Sequence, residues 1–187
     1  DAGAGGNITL SGALTGGGAM TVRDGKVQSY QALTVGSLTI SDATTSVTLN
    51  GALTSSGAVD IDSGGTIAID AAASGTTFAI DGAGVTTIAA GGDITASGAV
   101  TFGGSKSGTL TTSGDIDTTD DNITFTRAVT LGGAVDIDTT GGSAGDILFS
   151  AAIATGGNNL TLDAGAGGNI TLSGALTGGG AMTVRDG

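Results

Sequence analysis

The sequence predicts an all-β fold, a parallel β-solenoid in which each coil has three short strands and about 20 residues. Three observations support this. The composition favours strands and turns, an alternating apolar pattern recurs along the chain, and residues 1–25 are repeated without change at 163–187. Internal repetition of this kind is typical of solenoids, whose coils bury their apolar faces against one another.

The composition excludes a mainly helical protein. There are 38 Gly, no Pro and no Trp, and all 17 acidic residues are Asp. Glu is absent and Lys and Arg total 5, so most strong helix formers are missing. Thr, Val and Ile favour strands, whereas Gly, Asp, Asn and Ser favour turns. A hydrophobic content of 39% argues against disorder.

A shorter unit recurs inside the long repeat. It begins with a pair of apolar residues separated by one residue, and a short stretch of small and polar residues then leads to a lone apolar residue. A second pair of apolar residues, again separated by one residue, follows and precedes an Asp- and Gly-rich turn. This alternation predicts three strands per unit, each with one face buried. The first pairs are Ile8/Leu10, Val47/Leu49, Ile67/Ile69 and Ile147/Phe149, the lone residues are Leu14, Leu33, Leu53, Ile94 and Ile153, and the second pairs are Met20/Val22, Leu38/Ile40, Val59/Ile61, Phe78/Ile80, Val100/Phe102 and Leu160/Leu162.

The repeat also predicts the domain organisation. Residues 1–187 form a single uncapped solenoid segment, in which 1–162 are one long repeat and 163–187 begin the next. If both copies of the 25-residue sequence occupy the same environment, 162 residues make a whole number of coils, and we expect about eight. Residues 103–146 can be threaded as either two or three coils, and Phe102, Phe125 and Phe149 suggest a longer local spacing.

The sequence offers little for catalysis. With no His, Cys or Glu, the common general bases, nucleophile pairs and zinc ligands are missing, and we expect no enzyme activity, no catalytic, cofactor-binding or metal-binding residues and no cofactor. Asp residues that lie close together in the sequence are the only alternative: they suit a hard cation such as Ca²⁺, or glycan hydrolysis. The candidate pairs are Asp60/Asp62, Asp115/Asp117, Asp120/Asp121 and Asp136/Asp138.

Three further motifs have structural explanations. Gly16, Gly17 and Gly18 are followed by no Lys-Ser/Thr, so we expect a tight corner rather than a phosphate loop. Asn-x-Thr triplets at 7–9, 122–124, 159–161 and 169–171 fit the glycosylation pattern but arise easily in a Thr-rich chain. An outward Thr ladder would be a remote ice-binding alternative, although Asp60, Ala79 and Asp136 interrupt it; its members are Thr9, Thr21, Thr39, Thr48, Thr101, Thr124, Thr161 and Thr183.

The charge limits the partners. A formal net charge of −12 makes the chain a poor ligand for nucleic acid. No apolar stretch approaches the ~20 residues that span a bilayer, so we expect no membrane insertion. An uncapped solenoid exposes strand edges. We therefore expect both ends to continue into further coils, and homotypic end-to-end or lateral contacts when the segment is isolated.

The segment GNITLSGALTGGGAMTV, residues 6–22, and its degenerate copies resemble the shaft repeats of filamentous-haemagglutinin-like bacterial exoproteins. The resemblance covers essentially the whole chain and is one of composition and rhythm. It implies a right-handed parallel β-helix in an extracellular or bacterial cell-surface protein that serves as an adhesin stalk, filament or matrix scaffold. Cell surfaces or glycans would then be bound through domains outside the segment. The Asn-Pro motif of that family's secretion domain does not occur, since the sequence has no Pro, so the export route stays open.

These observations predict a structural shaft segment of a giant repeat protein. The main alternative is a Ca²⁺- or glycan-binding module that uses outward Asp ladders. A glycan-active solenoid would need an exposed aromatic platform, and the sequence has only one Tyr, Tyr30, and no Trp.

Overall fold

The computed structural model describes residues 1–3, 5–141 and 145–185. These residues form 24 β-strands and no helix, and every strand pairing is parallel. The chain winds as a β-solenoid of about eight turns, with three strands per turn. The predicted fold class is therefore confirmed.

Each strand lies on one of three faces and pairs with the equivalent strand of the next coil. Face 1 contains β1 (Ile8–Leu10), the second halves of β3 (Ala19–Tyr30) and β5 (Ser37–Leu49), β8 (Thr66–Ile69), β11 (Thr86–Ile88), β14 (Leu110–Thr112), β17 (Val129–Leu131), β20 (Ile153–Ala154) and β23 (Leu176–Thr177). Face 2 contains β2 (Leu14–Thr15), β4 (Leu33–Val35), β6 (Leu53–Ser55), β9 (Ala73–Gly75), β12 (Ile94–Ala96), β15 (Ile116–Thr118), β18 (Val135–Asp138), β21 (Leu160–Asp163) and β24 (Met182–Arg185). Face 3 contains the first halves of β3 and β5, with β7 (Val59–Ser63), β10 (Phe78–Gly82), β13 (Val100–Phe102), β16 (Ile123–Phe125), β19 (Ile147–Phe149) and β22 (Ile170–Leu172).

The long strands β3 and β5 continue around the corner between faces 3 and 1. Their ladder shifts register between Gly25 and Val27, and Asp24 and Asp42 adopt φ of 48° and 60° near the bend. Asp tolerates this left-handed conformation better than most residues, so it turns the chain without breaking the strand. The two faces are thereby joined into one sheet of 15 strands.

The solenoid interior is filled by columns of like apolar side chains. Inward residues such as Ile40, Ile61 and Ile80 are fully buried and lie opposite one another on successive coils of face 3. Farther along this face, the rings of Phe102, Phe125 and Phe149 stack with centroids 5.4 and 4.3 Å apart and planes within 9° of parallel. This column confirms that the recurrent Phe spacing reflects the coil length.

Close approach between coils explains glycine at the corners. A Cβ on Gly65 would lie 1.9 Å from the backbone oxygen of Thr45 on the preceding coil. Real Cβ atoms do not approach an oxygen so closely, so any other residue would push the two coils apart. Gly103 has φ of 119°, which L side chains rarely adopt.

The sequence-based strand assignment is correct up to Phe102 and wrong after it. Two coils, β14–β16 and β17–β19, cover residues 103–149. Ile123 and Phe125 pair with Val100 and Phe102 on face 3, although NITFTRAVT, residues 122–130, matches NITLSGALT, residues 7–15, whose Ile8 and Leu10 lie on face 1. The pairs Ile147/Phe149 and Leu160/Leu162 are displaced by one face in the same way, onto faces 3 and 2. Stacking of the Phe rings accounts for the register, because it requires Phe125 to lie in the column of Phe102.

The two copies of the 25-residue sequence consequently lie on different faces. Ile8–Leu10 pairs with Gln28–Tyr30 on face 1, whereas the identical Ile170–Leu172 pairs with Ile147–Phe149 on face 3. Each advance from one strand to the next moves the chain by one face, which is a third of a coil, and there are 21 such advances from β1 to β22. The long strands β3 and β5 each cover one additional face, so the chain advances by 23 faces in all. The expectation that 162 residues form a whole number of coils is therefore wrong: they form seven and two-thirds.

Candidate functional site

Six carboxylates form two adjacent columns on face 2, which we call the acidic strip. In one column, Asp117 lies opposite Asp138, and Asp138 lies opposite Asp163. The other column lies two residues earlier on each strand and contains Asp93, Asp115 and Asp136. Each side chain points outward from a strand whose neighbouring residues are buried, because alternate residues of a strand face opposite sides.

Carboxylates of the strip link one coil to the next. The Asp115 amide donates to Asp93 Oδ1 at 2.9 Å, and the Asp136 amide donates to Asp115 Oδ1 at 2.7 Å. At the strand ends, Asp138 Oδ1 accepts from the Thr140 amide at 2.6 Å and Asp163 Oδ1 accepts from the Gly165 amide at 3.1 Å. These bonds satisfy backbone donors within the strand β18 and at the strand ends, which is a structural use of Asp.

Partial burial and neighbouring negative charges raise the pKa of two carboxyls in the strip. Partial burial, reinforced by Asp138, Asp115, Asp136 and Asp93, raises the pKa of Asp117 to about 6. Burial and the same kind of neighbours also raise the pKa of Asp136, and Arg185 opposes this shift. The strip therefore costs stability when it is fully ionised.

Because ionisation of the strip is unfavourable, we expect the free energy of unfolding to increase on mild acidification. The Asp117 carboxyl ordinarily titrates at 3.8, so between there and about 6 the folded state holds a proton that the unfolded state has lost. Each rise in pH across this interval lowers the free energy of unfolding, and the loss is complete above about pH 6. We expect Asp117→Asn to raise the melting temperature at pH 7 and to shrink the difference between pH 4 and pH 7.

Thermal denaturation followed by circular dichroism at both pH values measures this effect. Asp60→Asn, on face 3 and outside the strip, is the matched control for the removal of one carboxylate, and its melting temperature at pH 7 should lie closer to that of the parent chain than the melting temperature of Asp117→Asn does. A parent chain that melts at a lower temperature at pH 4 than at pH 7, or an unchanged pH profile in Asp117→Asn, would contradict the assigned electrostatics.

The strip unites two of the predicted Asp pairs and leaves two outside. Asp115/Asp117 and Asp136/Asp138 lie on successive coils. Within 1–3, 5–141 and 145–185, no three acidic side chains are grouped to hold one metal ion. Of the other pairs, Asp62 forms an ion pair with Lys106, Asp60 lies on face 3 opposite Thr39, and Asp120 and Asp121 occupy the corner between faces 2 and 3.

The threonines predicted as a ladder are divided among the three faces. Thr9 and Thr48 lie on face 1, and Thr161 and Thr183 lie on face 2. On face 3 the column of Thr21 and Thr39 continues through Asp60 and Ala79 before it reaches Thr101 and Thr124. The structure therefore brings these threonines into short runs, and not into one continuous array.

Every aromatic side chain of the protein is buried. Tyr30 is 0% exposed, and its hydroxyl donates to Gln28 Oε1 at 2.6 Å. The four Phe residues are at most 2% exposed. Stacking against a sugar ring requires an accessible aromatic face, so no carbohydrate platform is present. Two shallow hollows, of about 300 and 270 Å³, contain a single carboxylate each, from Asp42 and Asp93, whereas glycoside hydrolysis requires two.

The remaining motifs have structural roles. Gly16–Gly18 form the corner between β2 and β3, and the Gly18 carbonyl accepts from the Gly36 amide at 2.8 Å. The exposed Asn122 and Asn159 of the Asn-x-Thr triplets accept from the amides of Asp146 and Ala181, on the following coil, at 2.7 and 3.1 Å.

Sequence reasoning missed a buried ion pair at the corner between faces 3 and 1. The Arg127 guanidinium is about 4% exposed and donates to Asp81 Oδ1 at 2.6 Å and to the Gly82 carbonyl at 3.1 Å, two coils away. Asp81 Oδ2 also accepts from the Ser105 amide at 2.9 Å. The sequence does contain one indication of this ion pair. Arg127 in NITFTRAVT, residues 122–130, occupies the position that Gly12 has in the similar segment NITLSGALT, residues 7–15.

Comparisons with protein families, curated proteins and solved structures find no significant match to this chain. The part of the chain that the structure describes includes no helix with the length and apolarity to cross a membrane.

Proposed function

We propose that this chain is a shaft segment of a longer repeat protein, with a mechanical role and no catalysis. The observation that supports it most directly is the unbroken ladder of parallel strands that runs through all three faces from the first coil to the last. Hydrogen bonds along the axis and continuous apolar columns resist bending and separation of the coils.

Two further observations favour a shaft over a binding or catalytic module. The aromatic residues are all inside, and four of the six carboxylates of the acidic strip accept from backbone amides of their own solenoid: Asp93, Asp115, Asp138 and Asp163. The second copy of the 25-residue sequence continues the same ladder by pairing with β19, β20 and β21. A chain that repeats in this way can lengthen without a break in the core.

The resemblance to filamentous-haemagglutinin-like shafts adds a location and a context to the proposal. A secreted or cell-surface stalk, filament or matrix scaffold would use this segment for reach and rigidity. Recognition of cell surfaces or glycans would belong to other domains of the protein.

The length of tandem repeats tests the proposal. Seven and two-thirds coils at a spacing of ~4.8 Å predict that each added 162-residue block lengthens the rod by about 37 Å. Chains with one, two and three blocks can be measured by electron microscopy and small-angle X-ray scattering. Equal increments in a rod of constant width are expected. Separate globules, or a length that does not grow with block number, would contradict the shaft function.

A further inference from the structure

The ion pair of Arg127 and Asp81 joins strands that are not neighbours. On face 3, β10, β13 and β16 are consecutive strands; Asp81 lies in β10, whereas Arg127 comes two residues after the end of β16. Because β13 lies between the partners, the guanidinium group bridges two strand spacings of the ladder, about 9.6 Å along the axis. Its bond to the Gly82 carbonyl makes the same crossing. Both contacts therefore connect a coil to the second coil before it.

The turn after β13 leaves room for the carboxylate that Arg127 binds. A Cβ on Gly104, in this turn, would lie 2.4 Å from Asp81 Oδ2, so a larger residue would displace the carboxylate. The amides of Ser105 and Lys106 donate to the same oxygen at 2.9 and 3.3 Å. Asp81 consequently bonds to the next coil through Oδ2 and to the coil after that through Oδ1.

A second ion pair skips a coil in the same way. Lys106 lies in the turn after β13, and its ammonium group contacts Asp62 of β7, with β10 between them. This pair overlaps the first, because Asp81 of β10 lies opposite Asp62. Its side chains are 23% and 42% exposed, so water screens it and the buried pair contributes more. Together the two pairs link β7, β10, β13 and β16.

Contacts of this kind change how a solenoid opens. In a repeat protein whose coils contact only their neighbours, coils detach one after another, and each detachment breaks one interface. Here, detachment of β16 from β13 also separates the Arg127 guanidinium from the Asp81 carboxylate of β10. Removing one partner of a buried ion pair is strongly destabilising. The separation of coils therefore meets an additional barrier at β16.

We propose that Asp81 and Arg127 form a clamp that arrests the separation of coils in a shaft under tension, because it makes the opening of β16 depend on β10. Unwinding from the other direction meets the same barrier, since β10 cannot detach without breaking this ion pair. The role under tension rests on the shaft function, whereas the coupling between the two strands does not.

Native-state hydrogen exchange measures this coupling. In the chain of residues 1–187, β16 can open together with the coils after it while β10 stays closed. If only neighbouring coils were in contact, a substitution in β10 would leave this opening unchanged. Asp81→Asn keeps the shape of the side chain and removes its charge. We expect the amides of β16 to exchange at least about tenfold faster in this variant than in the parent chain.

Ile80→Val is the matched control. Ile80 is fully buried in β10 beside Asp81, and its side chain takes no part in the clamp. Loss of one methyl group should accelerate exchange in β10 and change exchange in β16 by less than about twofold. Arg127→Met, at the other end of the clamp, should accelerate exchange in β16 at least as much as Asp81→Asn. The double variant should exchange no faster there than Arg127→Met alone.

Unchanged exchange of β16 in Asp81→Asn would overturn the clamp. Equal acceleration of β16 by Asp81→Asn and Ile80→Val would also overturn it, because the ion pair would then add no coupling beyond the unfolding of the whole chain. Neither result would alter the length increments of tandem blocks, so failure of the clamp and failure of the shaft function are distinguishable.

Discussion

Phe125→Ala is expected to destabilise the solenoid by about 3–5 kcal/mol, the usual cost of removing a buried aromatic ring. Phe125 is 0% exposed and lies between Phe102 and Phe149 in the ring column. Its removal opens a cavity between successive coils and deprives both neighbouring rings of a stacking partner. The central position makes this substitution more damaging than the removal of a ring at either end of the column.

Chemical denaturation of the parent chain and the variant measures this loss. Phe125→Leu, which fills part of the space, should cost less than Phe125→Ala. Val85→Ala, at a residue that is 43% exposed, is the surface control and should change the free energy of unfolding by less than about 0.5 kcal/mol. A Phe125→Ala variant as stable as Val85→Ala would refute the stacked column and the register that depends on it.

Arg127→Met is expected to cost about 3 kcal/mol, because it leaves Asp81 without its buried cation. The methionine retains much of the side-chain volume, so the loss reports mainly on charge and hydrogen bonding. The Ser105 and Lys106 amides still donate to Asp81, which keeps the cost at the lower end of the range for a broken buried pair. The carbonyl of Gly82 also loses its guanidinium donor.

A double variant separates the charge effect from packing. Arg127→Met combined with Asp81→Asn removes both charges and should be less destabilising than the sum of the two single variants. Lys106→Met is the matched control, since its ion pair with Asp62 is partly exposed and is expected to contribute less than about 1 kcal/mol. Equal losses for Arg127→Met and Lys106→Met would contradict a buried structural role for Arg127.

The repeat pattern predicted the fold and the first 102 residues well, because each strand there needs only alternating inward apolar residues. It failed from residue 103 onward, because residues 103–109 form a longer turn between β13 and β14 than residues 83–85 form between β10 and β11. In that stretch the apolar pairs alone permit more than one threading. Stacking between Phe102 and Phe125, a contact between distant residues, selects one of them.

The acidic strip, too, could be predicted from the sequence only in part. Asp115/Asp117 and Asp136/Asp138 could be recognised as outward pairs on single strands. That Asp93 and Asp163 join them depends on which residues lie opposite one another on neighbouring coils, and a single strand does not reveal this. Arg127 was missed because its partner Asp81 is 46 residues away.

The copies of the 25-residue sequence show why identity of sequence did not imply identity of environment. All three faces require the same alternation of buried apolar and outward polar residues, so one sequence fits face 1 at Ile8–Leu10 and face 3 at Ile170–Leu172. The non-integral number of coils per block follows from this tolerance, and it rotates each new block by one face.

Intramolecular disulfide trapping tests this rotation most directly. Leu148 and Thr171 lie opposite each other on face 3, so Leu148→Cys/Thr171→Cys should oxidise rapidly within one molecule. If 162 residues made a whole number of coils, Thr171 would lie on face 1 above Ala154, and Ala154→Cys/Thr171→Cys would be the pair that oxidises. Rapid closure of the first pair, with the second remaining reduced, is the result we predict; the reverse would contradict the solenoid described above.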